Sequence, residues 1–291
     1  MRMCVCVKQT PDSSSVYVDP ISGQVDYERF VQVLNPADAC AVEAAVRLRE
    51  QRGGTILALT LGPDDAVGAL RAALAIGADT AIRLWSPQAD EWGAFTVAAA
   101  LAAYIEREMA MPDLVLCGDA SSDWSSGTIG PALAEMLDLP QITGVMQLKV
   151  MSEQDVVRLQ VTRRLERGYR ELLEAQPPLL MTVTSDLNEP RYPSLPAHMA
   201  ALRAKIPMFD AQTLLGEGLQ YESDETTLLE MHTPRPRPRR IAAPDSRHSA
   251  FERIGEIVSG GATGRQTRLV EGTSEELAEV LVSFLRDKGF V

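Results

Sequence analysis

The run Gly118-Asp119-Ala120-Ser121-Ser122-Asp123-Trp124-Ser125-Ser126-Gly127-Thr128-Ile129-Gly130-Pro131 is rich in small and hydroxyl side chains. It lies between an apolar run at 114–117 and a helical pattern containing Ala134 and Leu137. A strand that passes through Gly, Ser and Thr into a helix start presents unpaired backbone N–H groups and the positive end of the helix dipole, a combination that suits a phosphate. Ser125, Ser126, Gly127 and Thr128 form the expected cradle, with Cys117 and Gly118 at the strand end beside it. Asp123 is expected to bind a ribose or to position the loop, because a carboxylate next to a phosphate is otherwise unfavourable. The spacing is neither G-x-G-x-x-G nor G-x-x-x-x-G-K-[ST], and an ordinary capped strand-to-helix turn uses the same residue types. Lys8, just after Val7 at the carboxyl end of the first apolar run, either neutralises phosphate or faces solvent.

A second segment suits docking. Thr184-Ser185-Asp186-Leu187-Asn188-Glu189-Pro190-Arg191-Tyr192-Pro193-Ser194-Leu195-Pro196 holds three prolines within seven residues. Each proline fixes its own φ and pushes the preceding residue out of the helical region, which predicts a stiff, extended tip carrying Leu195. Taken alone, the segment also fits a polyproline-type connector with a half-buried leucine.

The elements that position both segments alternate. Apolar or amphipathic runs at 3–7, 37–50, 55–60, 64–76, 80–84, 92–108, 114–117, 128–137 and 142–145 read as β-α-β-α-β-α-β-α-β. Continuous apolar strands such as Ile56-Leu57-Ala58-Leu59 imply burial on both faces, and the intervening helices supply the crossovers of a parallel sheet. The expected fold class is α/β, a doubly wound, mainly parallel, Rossmann-like sheet. Ligands of such sheets sit beyond the carboxyl ends of the strands, which directs attention to the loops beginning at Val7, Thr60 and Cys117. Asn35 before Pro36 reads as a helix N-cap, and Asp38 places a charge favourably near the helix start.

Further strands are expected at 156–161 and 179–183, bracketing a highly charged, partly exposed stretch at 162–176. From Asn188 the alternation stops. The tract Pro234-Arg235-Pro236-Arg237-Pro238-Arg239-Arg240 and glycines 260, 261 and 264 read as an extended arm. A final helix is expected with Ser274 as N-cap, Glu275 and Glu276 in its first turn, and Leu277, Val280, Leu281, Phe284 and Leu285 at helical spacing up to Arg286, Lys288 and Gly289. The expected divisions are 1–185 as the α/β nucleotide-binding domain, 186–272 as recognition loop and arm, and 273–291 as the terminal helix, packing either in an assembly or on its own sheet.

Bulk properties narrow the function. The chain has 291 residues, 45% hydrophobic and 23% charged, with a formal net charge of −12. That charge repels nucleic acid and anionic membranes, leaving small molecules and proteins as partners. No apolar run approaches the roughly 20 residues that span a bilayer, and Met1-Arg2-Met3 leads directly into a strand-like run; a cytoplasmic protein is expected. Cys4, Cys6, Cys40 and Cys117 lack zinc-site spacing and read as buried free thiols, and His198, His232 and His248 have no ligand-spaced partners, so no metal is expected.

The whole chain resembles the electron-transfer flavoprotein β (small) subunits. The resemblance rests on Val7-Lys8-Gln9-Thr10-Pro11-Asp12, Asn35-Pro36-Ala37-Asp38 with Glu43 and Ala44, Leu61-Gly62-Pro63, and Ala75-Ile76-Gly77-Ala78-Asp79. It continues through Gly118 and Asp123 to Ile129-Gly130-Pro131 and Ala134-Glu135-Met136-Leu137, then Arg163-Arg164-Leu165-Glu166-Arg167-Gly168-Tyr169, Glu171, Pro178-Leu179-Leu180-Met181-Thr182, the proline segment and the C-terminal Phe284-Leu285-Arg286-Asp287-Lys288-Gly289-Phe290.

The resemblance implies a heterodimer with an α subunit carrying a redox FAD, ferrying electrons between acyl-CoA or other flavin dehydrogenases and a quinone reductase, ferredoxin or flavodoxin acceptor. This chain would be an electron-carrier subunit with no catalytic side chains. It would hold a second nucleotide at Val7, Lys8, Asn35, Asp38, Gly62, Cys117, Gly118, Asp123, Ser125, Ser126, Gly127 and Thr128. In one branch that nucleotide is structural AMP; in the electron-bifurcating branch it is FAD and receives a hydride from NADH. The opening motif and Ile129-Gly130-Pro131 resemble the bifurcating branch, which favours FAD. Leu195, Pro193, Pro196 and Met199 would dock a partner dehydrogenase, while Glu166 and Arg191 would lie at interdomain contacts. Asp119-Ala120-Ser121-Ser122 departs from the family's basic-Gln-Ala-Ile run, Ser125 replaces a frequent second aspartate, and Arg167 stands where an acidic residue or glycine is usual. The rival from another class is a non-redox nucleotide-binding regulatory or scaffold protein, because a fold alone does not define a function.

Overall fold

The apolar runs of the first half lie side by side in one sheet. A computed structural model describes residues 1–17, 19, 25, 30–109, 111–153, 156–216, 248–251, 253–254 and 272–287. These fall into two units, Met1–Thr233 and Pro234–Val291. The first unit contains, in order, β1 (Arg2–Cys6), β2 (Gln9–Pro11), β3 (Gln32–Leu34), α1 (Pro36–Arg52), β4 (Thr55–Leu61), α2 (Val67–Ile76), β5 (Thr80–Trp85) and α3 (Ala94–Tyr104). There follow β6 (Leu114–Gly118), α4 (Ile129–Met136), β7 (Gln141–Glu153), β8 (Val156–Arg164), β9 (Arg170–Ala175), β10 (Leu179–Val183), α5 (Leu195–Arg203), β11 (Met208–Asp210) and α6 (Ala211–Leu215).

The strand order is β11-β5-β4-β1-β6-β10-β7-β8-β9. Pairing is parallel from β11 to β7 and antiparallel through β8 and β9. Alternate side chains of each buried strand serve opposite cores. Met3 and Val5 join α1 and α2 in one layer, whereas Cys4 and Cys6 join α3, α4 and α6 in the other. All four cysteines are buried and free. No helix among the described residues is long and apolar enough to cross a membrane.

Three differences from the sequence reading have physical causes. First, β7 and β8 run beyond their expected ends, and β9 forms within the charged stretch at 162–176. Its burial alternates, and Arg163 meets Glu171 across the strands at 2.6 Å, so the charged residues that mask the strand pattern are themselves cross-strand partners. Second, the sheet domain does not stop at 185. Residues 195–215 form α5, which packs on α2, and β11, which adds a parallel edge strand to β5, with Phe209 stacked edge-to-face on Tyr104 at 5.1 Å. Short elements of this kind carry little periodicity of their own. Third, in the second unit the helix here named α7 (Ser274–Asp287) is capped one residue earlier than expected. Thr273 N–H donates to Glu276 Oε2 at 2.9 Å and Glu276 N–H donates to Thr273 Oγ1 at 3.4 Å, a reciprocal capping box. The proline–arginine tract, glycines 260, 261 and 264, His232, and the helix end at Lys288 and Gly289 lie outside the described residues.

At the centre of the sheet the chain reverses the direction in which it adds strands: β4 lies on one side of β1 and β6 on the other. Asp38 of α1 ties these strands at their carboxyl ends. Its carboxylate accepts Lys8 N–H at 2.8 Å and Gly118 N–H at 2.7 Å. The residue is buried, and burial pushes its carboxyl up to about 6 against the opposing pull of those donors. Across β6, α4 sits close to the sheet, because a Cβ at Gly130 would collide with the Thr182 side chain and lie 3.0 Å from the Cys117 sulfur.

Asp38→Asn keeps one acceptor and leaves one backbone N–H unpaired, so unfolding in urea is expected to show a loss of about 1–3 kcal/mol. A folded carboxyl titrating near 6 rather than at its ordinary 3.8 contributes stability that is full below 3.8 and lost as pH rises through about 6. The gap between wild type and Asp38→Asn should therefore be wider at pH 5 than at pH 8; a gap that widens with pH would show that the charged form is the one favoured by folding. Gly130→Ala is expected to cost about 1–3 kcal/mol through overpacking. An unchanged urea midpoint would mean that α4 can back away from the sheet freely.

Candidate functional site

The crevice beyond the carboxyl ends of β1 and β6 is the topological switch point of the sheet, where open α/β folds bind ligands. The structure brings Lys8, Asn35, Asp38, Gly118 and Asp123 together there. Lys8 Nζ donates to Asp123 Oδ2 at 2.6 Å, joining the first strand's end to the loop after β6. Burial alone would push Asp123 up, but the bonds from Lys8 and Ser121 outweigh it and hold the carboxyl below its ordinary range.

Asn35 occupies the N-cap position of α1, yet its side chain makes no cap bond. Its Nδ2 donates to Ala120 O at 3.1 Å and its Oδ1 accepts Ser122 N–H at 3.1 Å. The side chain therefore shapes the loop instead of the helix end. The fixed φ of Pro36 already starts the helix, which releases Asn35 for this task.

The expected cradle, residues 125–128, forms the last part of that loop. Ser125 lies at φ 52° and Gly127 at φ 63°, left-handed conformations that turn the chain into α4. Thr128 is the N-cap residue of α4, but its Oγ1 donates back to Ser126 O at 3.3 Å and makes no cap bond. The start of α4 thus lacks a side-chain acceptor of its own, an arrangement that suits an anion there.

The remaining candidates lie around this centre. Val7 is buried, and its carbonyl accepts Thr60 Oγ1 at 2.6 Å. The Cys117 thiol lies beneath α4, where burial pushes it well above its ordinary value, so only its backbone borders the loop. Gly62 sits on the β4–β5 side, with its N–H donated to Leu84 O at 3.0 Å and its carbonyl accepting Arg83 Nη1 at 3.2 Å.

Sequence reasoning does not single out Thr10, Asp119 or Arg164 as site residues. Ser122 Oγ lies 3.0 Å from Thr10 Oγ1, and Arg164 Nη2 of β8 donates to Asp119 Oδ2 at 3.3 Å. Burial raises the Asp119 carboxyl, with Arg164 pulling the other way. The available signal was the acidic residue at 119 in place of the family's basic one; its partner lies 45 residues further along the chain.

The docking candidates occupy another part of the unit. Leu195 is 73% exposed, but it is not on an extended tip: it opens α5, capped by Ser194 Oγ, which accepts Ala197 N–H at 3.3 Å. Pro196 is tolerated because a first-turn residue has no intrahelical N–H bond to lose. Met199 is exposed one turn later, Pro196 is exposed, and Pro193 is half-buried. Arg191 is engaged within this unit: its Nε donates to Glu43 Oε2 at 2.8 Å and its Nη1 to Glu50 Oε1 at 2.6 Å. Burial would push Glu43 up, but Arg191 and Arg47 outweigh it and hold the carboxyl down. Glu166 is exposed in the turn between β8 and β9.

A family model described as "Electron transfer flavoprotein domain" matches residues 24–214. The electron transfer flavoprotein subunit beta of Thermoanaerobacterium thermosaccharolyticum is 34% identical over 271 residues, covering 93% of this chain and 97% of that protein. Protein FixA of Azotobacter vinelandii is 34% identical over 263 residues, 88% of this chain and 92% of its own. The caffeyl-CoA reductase-Etf complex subunit CarD of Acetobacterium woodii is 36% identical over 218 residues, 74% of this chain and 80% of its own. With a doubly wound sheet beneath the family's loop positions and a match along nearly its full length, the chain belongs to the electron-transfer flavoprotein β subunit family.

Proposed function

We propose that this chain binds an adenine nucleotide in the crevice between β1 and β6, pairs with an electron-transfer flavoprotein α subunit, and docks a flavin dehydrogenase or reductase through α5. The observation that carries the reading is the start of α4 at the switch point, without a side-chain cap at Thr128, following a loop whose Asp123 is paired with Lys8. Residues 125–128 would hold phosphate, Lys8 would keep the neighbouring Asp123 neutralised, and Asp123 would orient the loop and meet a ribose hydroxyl. The carboxylates fit this role because Asp123 and Asp119 are already matched by Lys8 and Arg164.

FAD is the nucleotide we propose for this chain. The opening motif and Ile129-Gly130-Pro131 support it, as does likeness to subunits named for caffeyl-CoA reductase and acryloyl-CoA reductase systems. A bound flavin would supply redox chemistry, including oxidation of NADH in a bifurcating complex; the chain's own residues bind, orient and dock. The exposed Leu277, Val280, Leu281 and Phe284 of α7 support a role for that helix in packing against the α subunit. Leu195, on a helix whose approach is clamped by Arg191 to α1, supplies an apolar anchor for brief partner encounters.

The heterodimer is expected to release two FAD on denaturation. One FAD with one AMP would make the nucleotide of this chain structural, and one FAD alone would remove nucleotide binding from it. Leu195→Ala should raise the partner concentration needed for half-maximal electron transfer about 10-fold while leaving nucleotide content unchanged. Identical kinetics at limiting partner would remove the anchor role.

A further inference from the structure

Trp124 is placed as no structural tryptophan would be. The chain has tryptophans at 85, 92 and 124; the first two are partly buried, whereas Trp124 is 72% exposed. Its exposure is not that of a loose loop. Ser125 N–H donates to Ser121 O at 2.9 Å, closing the turn under Trp124, and Trp124 N–H donates to Asp123 Oδ1 at 2.8 Å. The same turn is tied to β1 by the Lys8–Asp123 pair and to α1 through Asn35. A fixed backbone thus holds a large, rigid, apolar ring in water at the lip of the crevice, next to Ser125 and Ser126, which are too small to cover it.

We infer that Trp124 is a stacking face for the purine of the bound adenine nucleotide. A nucleotide whose phosphate meets the start of α4 lies within the same loop as this ring. Stacking removes two apolar faces from water without requiring a hydrogen-bond partner, and the held turn means that little ordering is needed on binding. The inference rests on the proposed nucleotide site and deepens it by naming the group that recognises the base. It also explains how a loop rich in serine and aspartate gains affinity for an aromatic ligand.

The test uses the full chain stripped of bound nucleotide, with AMP as probe and excitation at the red edge of the tryptophan band, where adenine scarcely absorbs. Equilibrium dialysis measures binding independently of the ring, and fluorescence reports on the ring. AMP should quench the wild-type emission saturably, and the quenched component should be absent in Trp124→Phe. Trp124→Ala should weaken AMP binding about 5- to 150-fold, the effect of losing one base stack, with Trp124→Phe retaining most of the affinity. AMP that binds by dialysis without quenching, and with equal affinity to Trp124→Ala, overturns the stacking role and leaves the nucleotide site standing. No binding of either AMP or FAD by dialysis, in the nucleotide-stripped chain and in its nucleotide-stripped complex with the α subunit, overturns both. Quenching by nucleotide-free α subunit, with none on adding AMP, makes Trp124 a subunit contact and overturns the inference.

Discussion

Backbone N–H groups from Lys8 and Gly118 converge on the Asp38 carboxylate where the chain changes the side on which it lays down strands. At that point β1 and β6 end together, and each has an N–H left over that the sheet cannot satisfy. One buried carboxylate answers both. This ties the strand ends together and sets the first turn of α1 against them. Burial raises the carboxyl, yet its removal would strand backbone donors in the same dry environment. The loops on either side are arranged around this fixed point.

Those loops are bound by paired charges instead of by a hydrophobic core. Lys8 with Asp123 and Arg164 with Asp119 join β1, β8 and the loop before α4. In a chain with net charge −12 the crevice would otherwise repel a phosphate. Pairing Asp123 and Asp119 each with a cation, while backbone N–H groups hold Asp38, leaves less uncompensated negative charge beside the helix start and the small residues at 125–128. Asn35 completes the arrangement by reading the loop's backbone from the end of α1.

The start of α5 solves a different problem: how to display an apolar residue without letting it collapse inward. Arg191 spans Glu43 and Glu50 of α1, so the chain approaching α5 is held by charge, and Ser194 caps the helix that Leu195 opens. The leucine is exposed because its neighbours are anchored. The crevice at the switch point and this helix are both built against α1, through Asn35 and Asp38 at its start and Glu43 and Glu50 further along.

By itself the sequence determined the alternation of main-sheet strands and helices up to residue 145 and the parallel sheet, but not the separate antiparallel pair β2–β3. Each of these is written in local periodicity or in the residue types of one segment. The family pattern was legible for the same reason. Tertiary structure alone decided the task of Asn35, which looked like a cap; the role of Asp38, which looked like a dipole partner; and the pairing of Asp119 with Arg164. It also decided that β9, α5 and β11 belong to the sheet domain. Apart from β9, which pairs with its chain neighbour β8, these depend on contacts between residues 30 to 148 positions apart; β9 depends on charged side chains whose strand pattern appears only when a neighbour supplies the opposite charge. Local spacing records which backbone conformation a segment prefers, whereas the partner that satisfies a buried or charged group is chosen only when the sheet brings distant segments together.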